Sequence, residues 1–376
     1  MNIKICQTGK MDSFEQNLND LNADTNVKAI MILACDANGF TPEKVDPLLA
    51  KSRAPVFGGI FPQIIGNGKN MEKGTIMAGL LDDINTLTIP ELSSDQADMD
   101  QKIVSALQGL DCLDKTIFVF VDGLSTRISA LIDCLFNNIG LMSNYIGGGA
   151  GSLSFEQKPC IFTSRGLQAD SAVLAVSDVK SGIGVAHGWA QISQAMKVTE
   201  SEKNRVISLN WEPAFQVYQQ VIQAHSGSSF ENASFFDIAK AHPLGIVKLD
   251  TEMVVRDPIL MENDQLICVG EVPQGSFVYI LQGDRDSLIN GAVQARESAL
   301  ENFPGNVNRS SMLFMDCISR VLFMEDDFKM ELRAVDDRNL AIGALTLGEI
   351  ANTGDSYLEF YNKTAVVGIL ENSGEK

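Results

Sequence analysis

Hydrophobic positions along this chain come in short runs, and the runs recur in a fixed order. An apolar, β-rich run stands at 28–35 ("KAIMILAC"), at 116–121 ("TIFVFV") and at 311–317 ("SMLFMDC"). Each is followed by a glycine-marked apolar turn: "PVFGGIF" at 55–61, "NYIGGGAG" at 144–151 and "LAIGALTLGE" at 340–349. A second β-like run comes next: "TIMAGLL" at 75–81, "SAVLAVS" at 171–177 and "TAVVGIL" at 364–370. Helical periodicity fills the gap between first run and glycine turn, most clearly in "SALIDCLFNNIG" at 129–140. The predicted unit is strand, helix, Gly-marked strand or turn, strand. Near-continuous apolar strands predict a sheet covered on both faces, and glycine at the turns permits positive φ or close backbone approach. Any α/β protein alternates such elements, but the matched order and spacing favour a structural repeat. The expected fold class is α/β (mixed α+β), with two domains built from repeated strand–helix–Gly-turn–strand units.

A polar stretch, "QAHSGSSFENASF" at 223–235, breaks the pattern. It follows a predicted helix opening at "NWEPAFQVYQQVI", with Asn210 placed to cap it and Pro213 tolerated in its first turn. The expected domains are therefore 1–222, holding two copies of the pattern, and 223–376, holding one. In the second, "HPLGIVKL" (242–249), "EMVVRDPIL" (252–260) and "QLICVGEVPQGSFVYIL" (265–281) read as strands and hairpins, and "DSLINGAVQARESALENF" (286–303) as an amphipathic helix.

Composition adds exclusions. A length of 376 residues makes two domains the default, and a chain this size buries roughly 75% of its unfolded surface without staples. The 48 acidic and 29 basic residues give a formal charge of −19, a field that opposes nucleic acid and anionic membrane as main partners. Seven cysteines lie scattered with no C-x-x-C, which argues against a disulfide framework and a Cys-rich zinc site. Cys35, Cys134 and Cys268 sit inside apolar runs, where a thiol acts as a small hydrophobe. The start lacks the apolar core of a signal peptide, and runs such as "AIMILAC" fall short of the ~20 residues that span a bilayer. The expectation is a soluble protein of the reducing cytoplasm.

No strong catalytic signature is present: no P-loop, G-x-S-x-G, H-E-x-x-H or calcium loop. "GGGAGS" at 147–152, with Gly148, offers backbone N–H groups to an anion but lacks a P-loop lysine; close backbone packing is the alternative. The three histidines, His187, His225 and His242, have no helical spacing to one another, so a multi-histidine metal site is not expected. His187 between Ala186 and Gly188 reads either as a turn histidine bonding backbone or as a titratable group presented with the Trp189 ring to a cavity. Arg256 and Asp257 in "VVRDP", Arg320 in "DCISR" and Glu349 in "TLGEI" stand at the ends of apolar runs. They are either rim charges or, if they converge, an amino-acid-sized site. There an arginine fork would hold a carboxylate, and Glu349 or Asp257 an ammonium.

These residues belong to an ordered series. "GGGAG" (147–151), "SAVLAV" (171–176), "GVAHGW" (184–189), "KVTE" (197–200) and "LNWEPAFQVY" (209–218) resemble the pattern of the FIST N-terminal domain. "HPLGI" (242–246), "VVRDP" (254–258), "VGEVPQGS" (269–276), "DCISR" (316–320), "GALTLGEI" (343–350) and "YNKTAVV" (361–367) resemble its C-terminal partner. The resemblance implies a sensory module of signal transduction that binds small ligands, with amino acids proposed. One branch is described as haem-binding nitric-oxide sensors acting on histidine kinases or cyclic-di-GMP enzymes. Carried over by position, the motif residues are His187, Trp189, Arg256, Asp257, Arg320, Gly348 and Glu349. Where the family's first glycine turn reads like "GCSTAGEI", this chain has "GGIFPQII" at 58–65, without the cysteine and the acid.

Three functions follow as expectations. The first is a cytoplasmic receptor for an amino-acid-like metabolite that signals in trans to a regulatory partner, with no cofactor. The second is a haem-based nitric-oxide sensor acting on a histidine kinase or cyclic-di-GMP enzyme, its axial ligand His242 or His187. The third is an enzyme with His187 and Glu349 as acid–base pair.

Overall fold

In the computed structural model, which describes residues 1–96, 98–227, 229–230, 233–248, 253–338, 340–352 and 357–372, the repeated pattern becomes three copies of one unit. In each copy a first strand (Ala29–Cys35, Thr116–Asp122, Ser310–Cys317) runs parallel to the glycine-bearing strand (Val56–Phe61, Asn144–Ala150, Ile342–Thr346). On its other side it runs antiparallel to the closing strand (Thr75–Leu80, Ser171–Ser177, Ala365–Glu371). An outer strand (Asn2–Cys6, Ile84–Pro90, Ser181–Ala186) flanks each closing strand. The closing strands are buried along nearly all of their length, as their unbroken apolar runs require. The fold class is the mixed α/β class expected.

The register explains the glycines. Gly58, Gly147 and Gly343 oppose Ile32, Val119 and Phe314 on the neighbouring parallel strand. A Cβ on them would stand 2.0, 1.8 and 1.7 Å from the carbonyl oxygens of those residues. Any side chain here would push the two strands apart, so each copy needs glycine at the same place.

The copies are not separate bodies. After its glycine-bearing strand each chain segment forms a hairpin that joins a different sheet. Gln63–Gly66 pairs with Ile342–Thr346 of the third copy, Ile161–Thr163 with Val56–Phe61 of the first, and Glu349–Ala351 with Asn144–Ala150 of the second. The exchange closes a circle of three sheets. Phe57 and Phe61 of the first copy meet Phe118 and Phe120 of the second, with ring centroids 5.6 Å apart for Phe57–Phe118 and 5.9 Å for Phe61–Phe120. Each such ring contributes about 1.5–3 kcal/mol through burial.

Between Ser181–Ala186 and the helix Arg285–Glu301 of the third copy the chain builds a fourth, antiparallel sheet. Its strands follow the order Phe277–Gln282, Met196–Glu202, Arg205–Leu209, Gln265–Val269, Val254–Glu262, Leu244–Ile246. Leu244–Ile246 also pairs with Phe277–Gln282, so the sheet closes on itself. The helices Ala214–Ser226 and Phe235–Ala239 belong to this insert.

The position expected as a boundary, 222/223, lies inside the helix Ala214–Ser226. Strand pairing runs across it: Ser181–Ala186 joins Ala365–Glu371. Within the polar stretch at 223–235, positions 228, 231 and 232 lie outside the described residues, as do 249 and 252 of the expected strands. The expected cap is corrected as well. The helix starts at Ala214 with Pro213 as its N-cap, and Asn210 and Trp211, both at positive φ, make the tip of the hairpin Arg205–Leu209 to Glu212–Pro213. The tertiary pairing of that hairpin takes Asn210 away from the helix. No helix among the described residues is long and apolar enough to cross a membrane.

Candidate functional site

A cavity of about 300 Å³ lies where the insert meets the body. The body contributes the turn after Thr116–Asp122 (residues 123–129), the helix Ile318–Met324 that follows Ser310–Cys317, Leu347–Gly348, and Phe360 with Asn362. From the insert come Lys203, Asn204, Phe236, Asp257, Ile259 and the segment 268–271. Topology makes this the meeting place: the first strands of the second and third copies both end here, so their following turns form one wall. Leu124, Ile128, Ile259, Val269, Leu347 and Phe360 make it largely apolar. Leu153, Phe155 and Leu322, exposed by 40%, 57% and 37%, form an apolar rim.

Two polar residues on this cavity are unusual. Asn362 is 1% exposed, and neither its amide nitrogen nor its amide oxygen has a hydrogen-bond partner. Asp257 is 3% exposed; its Oδ2 meets Lys363 Nζ at 3.2 Å, while its Oδ1 has no partner. Burial holds the Asp257 carboxyl above its ordinary range, against the pull of Lys363. Buried polar atoms almost always find partners, because leaving one bare costs about 1–3 kcal/mol. Three such atoms lie on two residues of this one cavity.

Lys363, fully buried, ties this site to the layer behind it. Its ammonium donates to the Lys240 carbonyl at 3.0 Å and lies 5.3 Å from the centre of the Trp189 ring. The Trp189 indole N–H in turn donates to the Lys363 carbonyl at 2.9 Å.

Of the residues expected from the sequence, Asp257 and Gly348 border the cavity and the others do not. His187 is a turn histidine: its Nδ1 accepts the Trp189 backbone N–H at 2.9 Å, and Gly188 follows at φ +78 with no room for a Cβ against the Ser287 carbonyl. Burial, aided by Arg320, lowers its pKa to about 4, so it is neutral. Arg320 is fully buried between Asp316 and Glu331 and donates to the carbonyls of His187 and Leu288. Arg256 donates to the carbonyls of Glu271, Val255 and Phe360 and so fastens the insert to the hairpin of the third copy. Arg256 spends its fork on backbone carbonyls, and Arg320 divides its own between two buried carboxylates and backbone carbonyls. Gly148 pairs with Glu349 across the exchanged strands, and its Cβ would meet the Gly348 carbonyl at 2.7 Å; it serves close packing.

Glu349 is fully buried. Thr346 Oγ1 donates to it at 2.6 Å and the Thr364 N–H at 3.3 Å. Burial pushes its pKa up to about 8, opposed by bonds from Thr346, Thr364 and the Cys317 thiol. Cys317 borders the cavity, and burial followed by the Glu349 charge pushes its thiol well up.

Asn362, Lys363 and Cys317 were not singled out by sequence reasoning. The available signal was a polar Asn-Lys-Thr triplet opening an otherwise unbroken apolar strand, in "YNKTAVV".

For haem the test is an imidazole nitrogen facing a cavity. His242 bonds the Ile238 carbonyl through Nδ1 and leaves Nε2 buried without a partner, but neither His242 nor His187 borders this cavity. The described residues lining it therefore do not fit an axially held haem. Among the described residues, no group of three or more His, Cys, Asp or Glu is arranged to hold a metal ion.

Comparison with known families agrees with the repeat and the motifs. A FIST N domain matches residues 29–212 and a FIST C domain matches residues 214–352. The chain belongs to the FIST family, whose domains are associated with sensory signal transduction and small-ligand binding. No curated protein matches the chain.

Proposed function

We propose that this FIST protein is a receptor for an amino-acid-like metabolite, held between insert and body, that signals in trans to a regulatory partner in the cytoplasm. The observation that carries the reading is the pair Asn362 and Asp257, whose buried atoms lack partners on a largely apolar cavity. An α-amino acid supplies what they lack. Its ammonium donates to Asp257 Oδ1 and Asn362 Oδ1, its carboxylate accepts from Asn362 Nδ2, and an apolar side chain fills the rest. A volume of about 300 Å³ suits a ligand of that size, at the small end of metabolite pockets. The haem reading draws no support from a lining without histidine.

A ligand bound here touches both bodies of the fold and so favours one arrangement of insert against body. The test is a thermal-shift and calorimetry screen of the full chain against the standard amino acids. Binding at 100 times Kd adds about 2.7 kcal/mol of stability. Asn362→Ala is expected to weaken binding at least tenfold. No shift with any compound would sink the reading.

A further inference from the structure

The three bare atoms on the cavity specify a pattern as well as a place. Asn362 offers one acceptor oxygen and one NH2 donor, and Asp257 Oδ1 is a further acceptor. They share a corner. Asp257 pairs with Val269 in the insert, and a Cβ on the next residue, Gly270, would stand 3.4 Å from Asn362 Oδ1. Lys363, which follows Asn362, holds the other Asp257 oxygen. The group that answers all three atoms therefore carries two N–H donors and one acceptor side by side.

Charge decides which group that is. The cations around this corner are already engaged: Lys363 by Asp257 and the Lys240 carbonyl, Arg256 by the carbonyls of Glu271, Val255 and Phe360. Arg256 reaches the same place, its Nε 3.1 Å from where a Gly270 Cβ would be. A bound ammonium would add a third cation beside one buried carboxylate, and a bound carboxylate would find neither cation free. Burying either charge so poorly answered is costly. A primary carboxamide brings no charge. Its NH2 donates to Asp257 Oδ1 and Asn362 Oδ1, its carbonyl oxygen accepts from Asn362 Nδ2, and every bare atom gains a partner. Nearer solvent the same cavity carries one charge of each sign, on exposed Lys203 and half-buried Glu271.

We propose that the cavity recognises the side-chain carboxamide of an amino acid, glutamine or asparagine, with the amide on Asn362 and Asp257 and the zwitterionic end at Lys203 and Glu271. This rests on the reading of the cavity as an amino-acid receptor site and narrows its ligand, turning the amino acid end for end from the arrangement described above. The side-chain methylenes meet the apolar wall. A site that hydrogen-bonds an NH2 group in this way rejects analogues that lack it.

The test is calorimetry on the full chain with L-glutamine, L-asparagine and the other standard amino acids. Glutamine or asparagine should bind at least tenfold more tightly than leucine, and glutamine at least tenfold more tightly than glutamate, which has the same shape. Isovaleramide, a carboxamide without the zwitterionic end, should bind more weakly than glutamine; tighter binding overturns the role given to Lys203 and Glu271. Asn362→Asp separates the two orientations. It sets a carboxylate against the amide carbonyl and should weaken glutamine at least tenfold, whereas an ammonium seated here would bind the variant more tightly. Circular dichroism checks that the variant is folded, and the glutamine–glutamate comparison on the wild type stands without it. An amino acid lacking a carboxamide that binds as tightly as the best of the pair, or a gain of glutamine affinity in Asn362→Asp, overturns the proposal and leaves the receptor reading standing. If no amino acid binds, both fall.

Discussion

Two cavities of this molecule are built from the same parts and end differently. The turns after the second and third first strands, with Leu347 and Gly348, wall the cavity of about 300 Å³. The turns after the first and second, with the equivalent Gly151 and Ser152, wall another of about 260 Å³. In this second cavity the polar groups answer one another. Asp122 accepts from the Leu124 and Asp170 N–H groups and from Gln157, and Ser152 donates to Asp36 at 2.7 Å. No described residue bordering it carries a bare buried polar atom, whereas Asp257 and Asn362 on the first cavity do. The difference comes from the insert, which brings Asp257, and from the "NKT" triplet of the third copy. Volume alone does not mark a site; unanswered polarity does.

Three experiments strain this comparison, in falling order of effect. The equivalence of the copies depends on their shared glycines, so Gly343→Ala and Gly147→Ala should each cost more than about 4 kcal/mol and leave little folded protein by circular dichroism. A variant that melts like the wild type would break the register argument.

Next, Lys363 and Lys73 hold equivalent positions before the closing strands, one fully buried on Asp257, the other exposed. Lys363→Met strands a buried carboxylate and should cost about 3–5 kcal/mol, while Lys73→Met should stay within about 0.5 kcal/mol. Urea denaturation of the two variants compares them directly.

Third, Glu349→Ile copies into the third repeat the Ile64 that stands at the same place in the first by strand pairing. With a folded pKa raised from 4.5 to about 8, Glu349 keeps its proton in the folded chain where the unfolded chain has lost it. Its contribution therefore makes stability fall as pH rises from 4.5 to 8, by about 1.4 kcal/mol per pH unit. The variant should lose that slope and be the more stable protein at pH 8. An unchanged pH profile would refute a neutral buried Glu349. His187 acts with opposite sign and lower down: its pKa of about 4 removes stability as pH falls below 6.5.

The three first strands, the glycine turns and the closing strands were legible because a strand buried on both faces must be apolar throughout. The helix Arg285–Glu301 was legible for a similar reason. What linear reading missed is spatial. A boundary drawn at a polar stretch fell inside a helix, since the insert begins and ends within the third copy and the hairpins change sheets. Arg256 and Arg320 stood out as charges among apolar neighbours, and burial explains that; nothing in the sequence showed that backbone carbonyls, joined at Arg320 by Asp316 and Glu331, take up their forks in place of a ligand. Asn362 carries no charge, so although it lies in the motif "YNKTAVV" only its missing partners single it out.

The exchanged hairpins have one more consequence. Since every copy lends a strand pair to another around a closed circle, none can be removed without leaving an open edge on a second sheet and an orphaned hairpin from a third. Melting should therefore be a single concerted event for the body, with no one-copy or two-copy intermediate. The same weave gives the ligand a reach beyond its own walls. Asn362 directly follows Glu359–Tyr361, whose partner Glu349–Ala351 is stitched to Asn144–Ala150, so a tug on that amide is felt in a neighbouring sheet.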